Sequence, residues 1–208
     1  MRKPNTFINP NTPTISNPVG VDSVIQTLQV EYSNQLSWLE KSFGRAYMAH
    51  KKTDDMDNAS LLTRQNEVYP SLWQGEDLDP INGLANDNLN AYSFFLKSGE
   101  ETPINYQTRI RNRWTCDISN IFWLNLERVD SSKTYPFTEE LIQEVKNVIS
   151  NTLFTGLQHT GVEITSIKTK DEEIFQEFTL DLAETQHLVY PYDGFRIEMT
   201  AYFSDSCS

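Results

Sequence analysis

The three histidines and two cysteines are the first residues of this sequence that could bind a metal or act in catalysis. His50, His159 and His187 are isolated, with no histidine, cysteine or carboxylate at a spacing that would place two ligands on one face. Cys116 falls within an apolar run and is interpreted as a small buried side chain. Together with Cys207 it gives no disulfide framework, which is typical of a protein from a reducing compartment.

Other motifs of catalysis and metal binding are incomplete. Asp54, Asp55 and Asp57 resemble the start of a calcium loop, but the glycine and the distal glutamate of such a loop are missing, so a solvated acidic loop is expected. The sequence has no glycine-rich phosphate loop and no nucleophile elbow. These observations predict a protein that is not an enzyme and holds no metal or cofactor. The sequence leaves open a catalytic acid–base pair whose two residues come together only on folding.

Three arginines alternate at the entry to a predicted strand: Arg109, Arg111 and Arg113. Alternation at period two places them on one face. They could contact phosphates, pair with acids of neighbouring strands, or bind the acidic surface of a neighbouring subunit, for which the planar guanidinium is well suited. As a site prediction we assign these three arginines to a subunit interface.

A long turn-rich loop over residues 74–89 is the second candidate for an interface. A loop of this length inside a compact domain is usually functional or packed against something. Trp73 precedes it, and the loop includes Asn86, Asp87 and Asn88. Trp73 and the aromatic residues after the loop have two interpretations, core packing or a patch that faces a partner. Those later aromatic residues are Tyr92, Phe94 and Phe95.

The charge of the chain limits the partners it could bind. The net charge is −12 and the sequence pI is about 4.6. Residues 61–108 carry 2 basic and 7 acidic residues, and residues 151–208 carry 3 and 10. A surface this acidic repels DNA at long range, but a lumen that conducts DNA must not hold it. The N-terminus has no apolar signal region and no apolar run approaches the ~20 residues that span a bilayer, so neither secretion nor insertion is expected.

Two helices and one central strand form the predicted core. In the run from Trp114 to Leu126 both alternating faces are apolar, which predicts a strand covered on both sides. An amphipathic helix is predicted to begin at an N-cap Thr138 and to continue toward Phe154. A longer helix is predicted over residues 22–43, with Asp22 as its N-cap and Gly44 at its end.

The remaining segments predict further strands and an α+β fold. A short strand is expected at 45–51, and others at 68–73 and 90–96. Residues 162–168 and 174–180 are predicted to form a hairpin, and residues 195–203 the last strand. The prediction is therefore a mixed or antiparallel sheet flanked by two main helices, in a single domain over residues 21–208. Residues 1–20 are rich in proline and predict an extended N-terminal arm.

Three local patterns together resemble structural proteins from the neck of tailed bacteriophages, in particular crAss-like and related phages of Bacteroidetes. The patterns are Tyr69-Pro70-Ser71-Leu72-Trp73-Gln74-Gly75 with the loop and aromatics after it, Ile121-Phe122-Trp123-Leu124-Asn125-Leu126, and Tyr192-Asp193-Gly194-Phe195-Arg196-Ile197-Glu198. The resemblance implies a tail-terminator-like virion protein, assembled in the host cytoplasm, that forms a homo-oligomeric ring between portal and tail proteins. Double-stranded DNA would be only passing cargo. The alternative is a soluble monomeric or dimeric adaptor or chaperone in phage assembly.

Overall fold

The computed structural model describes residues 18–52, 66–73, 80–82, 89–104, 113–154, 160–178 and 188–204. These residues form four helices and nine strands, and most of the strands follow one another without a helix between them. The elements are α1 (Val21–Gln35), β1 (Lys41–Arg45), β2 (Tyr47–Lys52), β3 (Asn66–Trp73), β4 (Pro80–Asn82), β5 (Ala91–Lys97), β6 (Thr102–Ile104), β7 (Arg113–Asn125), α2 (Leu126–Val129), α3 (Thr138–Asn151), β8 (Gly161–Lys168), α4 (Asp171–Ile174) and β9 (Tyr192–Ser204).

A large sheet of six strands organises the fold. Its strands run in the order β1-β5-β7-β9-β8, and β6 also pairs with β7. The β1–β5 pair is parallel and all the other pairs in this sheet are antiparallel. Helices α1 and α3 are the two main helices of the described residues. The predicted fold class, a mixed sheet with two main helices, is confirmed.

Strand β7 lies in the centre of the sheet, as its two apolar faces predict. It pairs with β5 along one side and with β9 along the other. Phe122 and Leu124 belong to a core under the helices, whereas Ile121 and Trp123 belong to a second core on the opposite side. We call the side of the sheet that α1 and α3 cover the helical face, and the opposite side the mixed face.

The helical face is covered by an apolar surface from each main helix. Leu141, Val145 and Ile149 of α3 are buried at helical spacing, as predicted. The N-cap position is Phe137 rather than the predicted Thr138, whose hydroxyl instead donates to the Asp193 carboxylate at the start of β9. This bond anchors the first turn of α3 to the sheet.

The first helix is shorter than the sequence predicts. It ends at Gln35, and residues 41–45 form β1 instead of a further helical turn. Gly44 lies within that strand, so the predicted C-terminal stop is wrong, and the N-cap position is Gly20 rather than Asp22. The apolar spacing continues past the helix because Leu36 and Leu39 are buried in the connecting turn. Pairing with β5 then takes the chain out of helical conformation.

The predicted hairpin after α3 is only half correct. Strand β8 forms at 161–168, but it pairs with β9. Residues 171–174 form the short helix α4, and Phe175 and Phe178 continue from it into the core of the mixed face. The expected strand over 174–180 is therefore wrong in its described part. The antiparallel partner of β8 is instead β9. Strand β9 has one buried apolar face, as predicted, formed by Phe195, Ile197, Met199, Ala201 and Phe203 on the helical face.

A second, three-stranded sheet of order β2-β3-β4 lies beside the first. Strands β2, β3 and β5 confirm the predicted strands at 45–51, 68–73 and 90–96. The loop predicted over 74–89 contains β4, and its remaining residues 74–79 and 83–88 lie outside the described residues. Most of the predicted arm, residues 1–17, also lies outside them. The arm and the single-domain boundary stay predictions.

Candidate functional site

Most of the predicted interface residues cannot be placed. Arg109, Arg111, Asn86, Asp87 and Asn88 lie outside the described residues. Arg113 is the first residue of β7, half-buried, and stands opposite Ile104 of β6 and Ser204 of β9. Trp73 is the last residue of β3 and stands opposite Pro80. The described residues therefore do not test whether the predicted set comes together. The aromatic residues after the loop are in the core, since Tyr92, Phe94 and Phe95 are buried.

The described residues contain no cluster of three or more histidine, cysteine, aspartate or glutamate side chains that could hold a metal ion. Cys116 is buried in β7, where its thiol lies 3.4 Å from the carbonyl oxygen of Gly99. Burial raises the pKa of the Cys116 thiol, which disfavours the reactive thiolate. The interpretation of Cys116 as a small buried side chain is confirmed.

A polar cluster on the mixed face is the site that the sequence did not single out. Strand β9 places Arg196 and Glu198 on this face, and β7 places Ser119 beside them. Strand β8 contributes Lys168, and the segment after α4 contributes Glu177. We call these five residues the Arg196 cluster. Alternation along β7 and β9 puts their polar side chains on one face, while the residues between them build the core of the helical face.

Arg196 is the centre of this cluster and is only 1% exposed. Its Nε–H donates to Glu198 Oε1 at 2.7 Å, and its Nη2 donates to Glu177 Oε1 at 2.6 Å and to Ser119 Oγ at 2.8 Å. Its Nη1 donates to Glu177 Oε2 and to the carbonyl oxygen of Ile174. A guanidinium has five N–H groups, and these five bonds use all of them.

Glu198 connects the three strands of the cluster. One of its carboxylate oxygens accepts the Ser119 hydroxyl at 2.5 Å, and the other faces Arg196 and the Lys168 ammonium, which is 3.3 Å away. Because Ser119, Glu198 and Lys168 lie on β7, β9 and β8, the carboxylate spans three adjacent strands. Charged hydrogen bonds of this kind are shorter and stronger than neutral ones.

The electrostatics favour the charged forms of Glu177 and Arg196. Burial opposes the charge on Glu177, but hydrogen bonds from Arg196 and Gln176 outweigh it, so the pKa of Glu177 is lowered. Burial also opposes the charge on Arg196, and the bonds and charges of Glu177 and Glu198 outweigh that in turn, so the pKa of Arg196 is raised. A carboxylate shifted down and a guanidinium shifted up exchange no proton near neutral pH.

The arrangement is therefore suited to holding two segments of the chain together. Glu177 and the Ile174 carbonyl belong to the segment that covers the core of the mixed face, and both are bonded to Arg196 of the sheet. The cluster holds the α4 segment against β9. A sequence signal for it existed, since Arg196 and Glu198 stand two residues apart in the strand, but nothing local identifies Glu177 as their partner 19 residues upstream.

The exposed surface of the described residues is strongly acidic. Among the described residues outside 49–52, 66–67, 73 and 80–82, whose side chains are not described, three basic residues are exposed: Lys97, Arg128 and Lys170. Exposed carboxylate residues are more than three times as numerous. They are Glu40, Glu100, Glu101, Asp117, Glu127, Glu139, Glu140, Glu163, Asp171 and Glu172. The basic side chains are mostly half-buried and several are held by acids of the same chain, such as Arg45 by Asp22 at 3.2 Å and Lys168 by Glu198.

Comparisons with known proteins do not assign this chain to a family. No protein-family model matches the sequence, and a search of curated proteins finds no match. Among the described helices, none is long and apolar enough to cross a lipid bilayer.

Proposed function

We propose that this protein is a non-enzymatic component of a phage neck, where copies form a closed ring through which double-stranded DNA passes. The proposal joins the resemblance of the sequence to neck proteins with the acidity of the surface. Each copy would build its own two cores, while the N-terminal arm over 1–20 and the loop over 74–89 would contact neighbouring copies. In a virion, portal and tail proteins would adjoin the ring.

The observation that carries this proposal is the imbalance of exposed charge among the side chains whose exposure the structure describes, ten carboxylates against three basic groups. A protein that grips DNA neutralises phosphates with lysine and arginine. A channel wall has the opposite requirement, because bound phosphates would stop the DNA from sliding. An acidic surface meets that requirement, since it repels the DNA backbone within a Debye length.

The assembly is tested by measuring the mass of the purified full chain with light scattering across protein and salt concentration, and by imaging the particles. Closed rings are expected, either from the chain alone or after addition of the portal and tail proteins of the same phage. A chain that stays monomeric or dimeric with those partners present would contradict the proposal and favour the adaptor.

The passage of DNA is tested separately by filter binding to double-stranded DNA at low salt. No retention is expected for the wild-type chain. A matched control replaces Glu100, Glu101 and Asp117 with lysine, which reverses three exposed charges, and retention of DNA should appear and decline as salt is raised. Tight binding by the wild-type chain would contradict a sliding channel.

A further inference from the structure

Strand β8 forms one edge of the large sheet, so one of its two sides faces away from the other strands. Seven of its eight residues pair with β9 along one side, and no other described strand pairs with it. An edge strand of this length presents unpaired N–H and C=O groups to any chain that can add a further strand. We propose that this edge pairs with the β8 edge of a second copy, antiparallel about a two-fold axis.

The sequence of β8 is complementary to itself when it is read in the reverse direction. With the two-fold axis between Thr165 and Ser166, Glu163 of one copy stands opposite Lys168 of the other, and Ile164 stands opposite Ile167. Symmetry repeats each pair, so the edge gains two Glu–Lys pairs, two Ile–Ile pairs and two Thr–Ser pairs. Opposite charges, β-branched side chains and hydroxyls are the cross-strand pairs that stabilise antiparallel sheets.

A bulge in β8 makes this pairing possible. Residues five apart in a regular strand point to opposite faces, so Glu163 and Lys168 could not meet across a two-fold axis. The pairing register with β9 shifts between Ile164 and Ser166, leaving Thr165 as the extra residue. Glu163 is consequently opposite Thr200, and Lys168 is opposite Arg196, both on the mixed face.

The same shift places the apolar residues together. Ile164 is opposite Met199 and Ile167 is opposite Ile197, and both isoleucines pack against the core of the helical face while staying partly exposed. Opposite each other across the two-fold axis, they would bury the area that each leaves in water. A bulge usually hinders pairing at an edge. Here the two bulges coincide at the axis, where Thr165 meets Ser166 and the ladder continues on both sides.

The charged groups of this contact lie on the mixed face, where residues of β9 hold them. The Glu163 carboxylate is exposed and accepts the Tyr202 hydroxyl at 3.0 Å, while the Lys168 ammonium is 3.3 Å from Glu198. A second copy would add its Glu163 to the same ammonium. The row Glu198, Lys168 and the partner's Glu163 would then alternate in sign across the joined sheets. This pairing does not depend on the neck function, because a two-fold dimer and a closed ring are separate assemblies.

Charge reversal followed by mixing tests this inference. The full chain, Glu163→Lys, Lys168→Glu and the double variant are compared by sedimentation velocity over a range of concentrations. Under conditions in which the chain alone forms no rings, a monomer–dimer equilibrium is expected for the wild-type chain. Each single variant places like charges opposite each other twice and should weaken dimerisation by roughly tenfold. The double variant restores both pairs and should dimerise as the wild type does.

Mixing the two single variants gives the decisive result. A Glu163→Lys chain facing a Lys168→Glu chain has both charge pairs intact, so a mixed dimer should form although neither variant dimerises well alone. Glu127→Lys, the same charge change at an exposed site on α2, is the matched control and should leave dimerisation unchanged. Circular dichroism and thermal unfolding check that each variant is folded. A wild-type chain that stays monomeric, single variants that dimerise normally, or a mixture that gains nothing would overturn the inference. Failure of ring assembly would leave these results unaffected, so the two proposals are judged separately.

Discussion

The helical and mixed faces of the large sheet are built from the same strands but are stabilised by different interactions. On the helical face, β9 presents only apolar side chains to the helices, from Phe195 to Phe203. On the mixed face, the same strand presents Arg196, Glu198, Thr200 and Tyr202 in succession. One face is held by contact area, which is not directional, and the other by a cluster of directed charged hydrogen bonds.

This difference predicts which substitutions should destabilise each face. Shortening a buried apolar side chain destabilises the fold because it leaves a cavity. A satisfied ionic cluster is destabilised when any one of its partners is lost. The mixed face is also graded. It is aromatic where β5 and β7 bring Tyr92, Phe94 and Trp123 together, ionic at Arg196, and exposed toward Asp117 and Glu163.

The largest effect is expected at the centre of the helical face. Phe122 is fully buried, stacks on Phe195 with ring centroids 4.4 Å apart, and also contacts Tyr32 and Trp38. Phe122→Ala should reduce the free energy of unfolding by about 4 kcal/mol because it leaves a cavity that these rings cannot fill. Urea unfolding followed by fluorescence measures this change. Thr200→Ala, on the exposed part of the mixed face, is the control and should change stability by less than about 1 kcal/mol. Equal losses in the two variants would remove the contrast between the faces.

A slightly smaller effect is expected from the centre of the mixed face. Arg196→Met preserves the apolar stem but leaves Glu177 and Glu198 without the guanidinium, and their side chains are only 24% and 17% exposed. Losing one partner of a buried ion pair should cost about 3 kcal/mol. Adding Glu177→Gln and Glu198→Gln removes the charge that is left unpaired on Glu177 and the one that Glu198 then shares only with Lys168, and should recover part of the loss. A triple variant less stable than Arg196→Met alone would show that the carboxylates stabilise the fold by means other than this pairing.

Acid should weaken the mixed face through Glu177 specifically. Its pKa is lower in the folded chain than the ordinary value of 4.5, so the ionised carboxylate stabilises the fold fully above about pH 4.5. That contribution is lost as the pH falls through the folded pKa. Glu177→Gln should therefore cost roughly 1.5 kcal/mol at neutral pH and progressively less in acid. Unfolding curves for both chains between pH 7 and pH 3 measure the difference. A difference that stayed constant with pH would contradict the assigned bond to Arg196.

The two faces also differ in how far the sequence predicts them. Strands β7 and β9 and helix α3 were predictable because each has a regular apolar period that its own burial imposes. The end of α1 was not, because Leu36, Leu39 and Phe43 continue a helical period although residues 41–45 pair with β5, more than forty residues later. Such a nonlocal pairing leaves no local mark in the sequence.

The Arg196 cluster was missed for the same physical reason. Alternation assigns Arg196 to a polar face, where an arginine is normally solvated. Its burial comes from α4 and Glu177, a segment that the sequence predicted as the turn and second strand of a hairpin. Of the predicted interface residues, only Arg113 and Trp73 fall among the described residues, so the interface stays a prediction.

The smallest effect is expected where a polar group sits on the apolar face. Tyr32 of α1 is fully buried, its ring stacks on Phe95 at 6.1 Å, and its hydroxyl has no hydrogen-bond partner among the described residues. Burial raises the pKa of Tyr32, so the phenol stays neutral. Tyr32→Phe keeps the ring contacts and removes only an unsatisfied oxygen, whose burial is unfavourable. The free energy of unfolding should stay within about 0.5 kcal/mol of wild type or rise slightly.

Tyr32→Ala is the matched variant at the same position. It removes the ring that packs between Phe95 and Phe122 and should cost about 4 kcal/mol. The contrast between the two substitutions separates the contact area of the helical face from its rare polar atoms. If Tyr32→Phe instead lost 1 kcal/mol or more, the hydroxyl would be bonded, with a buried water as its partner. The helical face would then depend on directed hydrogen bonds as well, and the distinction between the two faces would be one of degree.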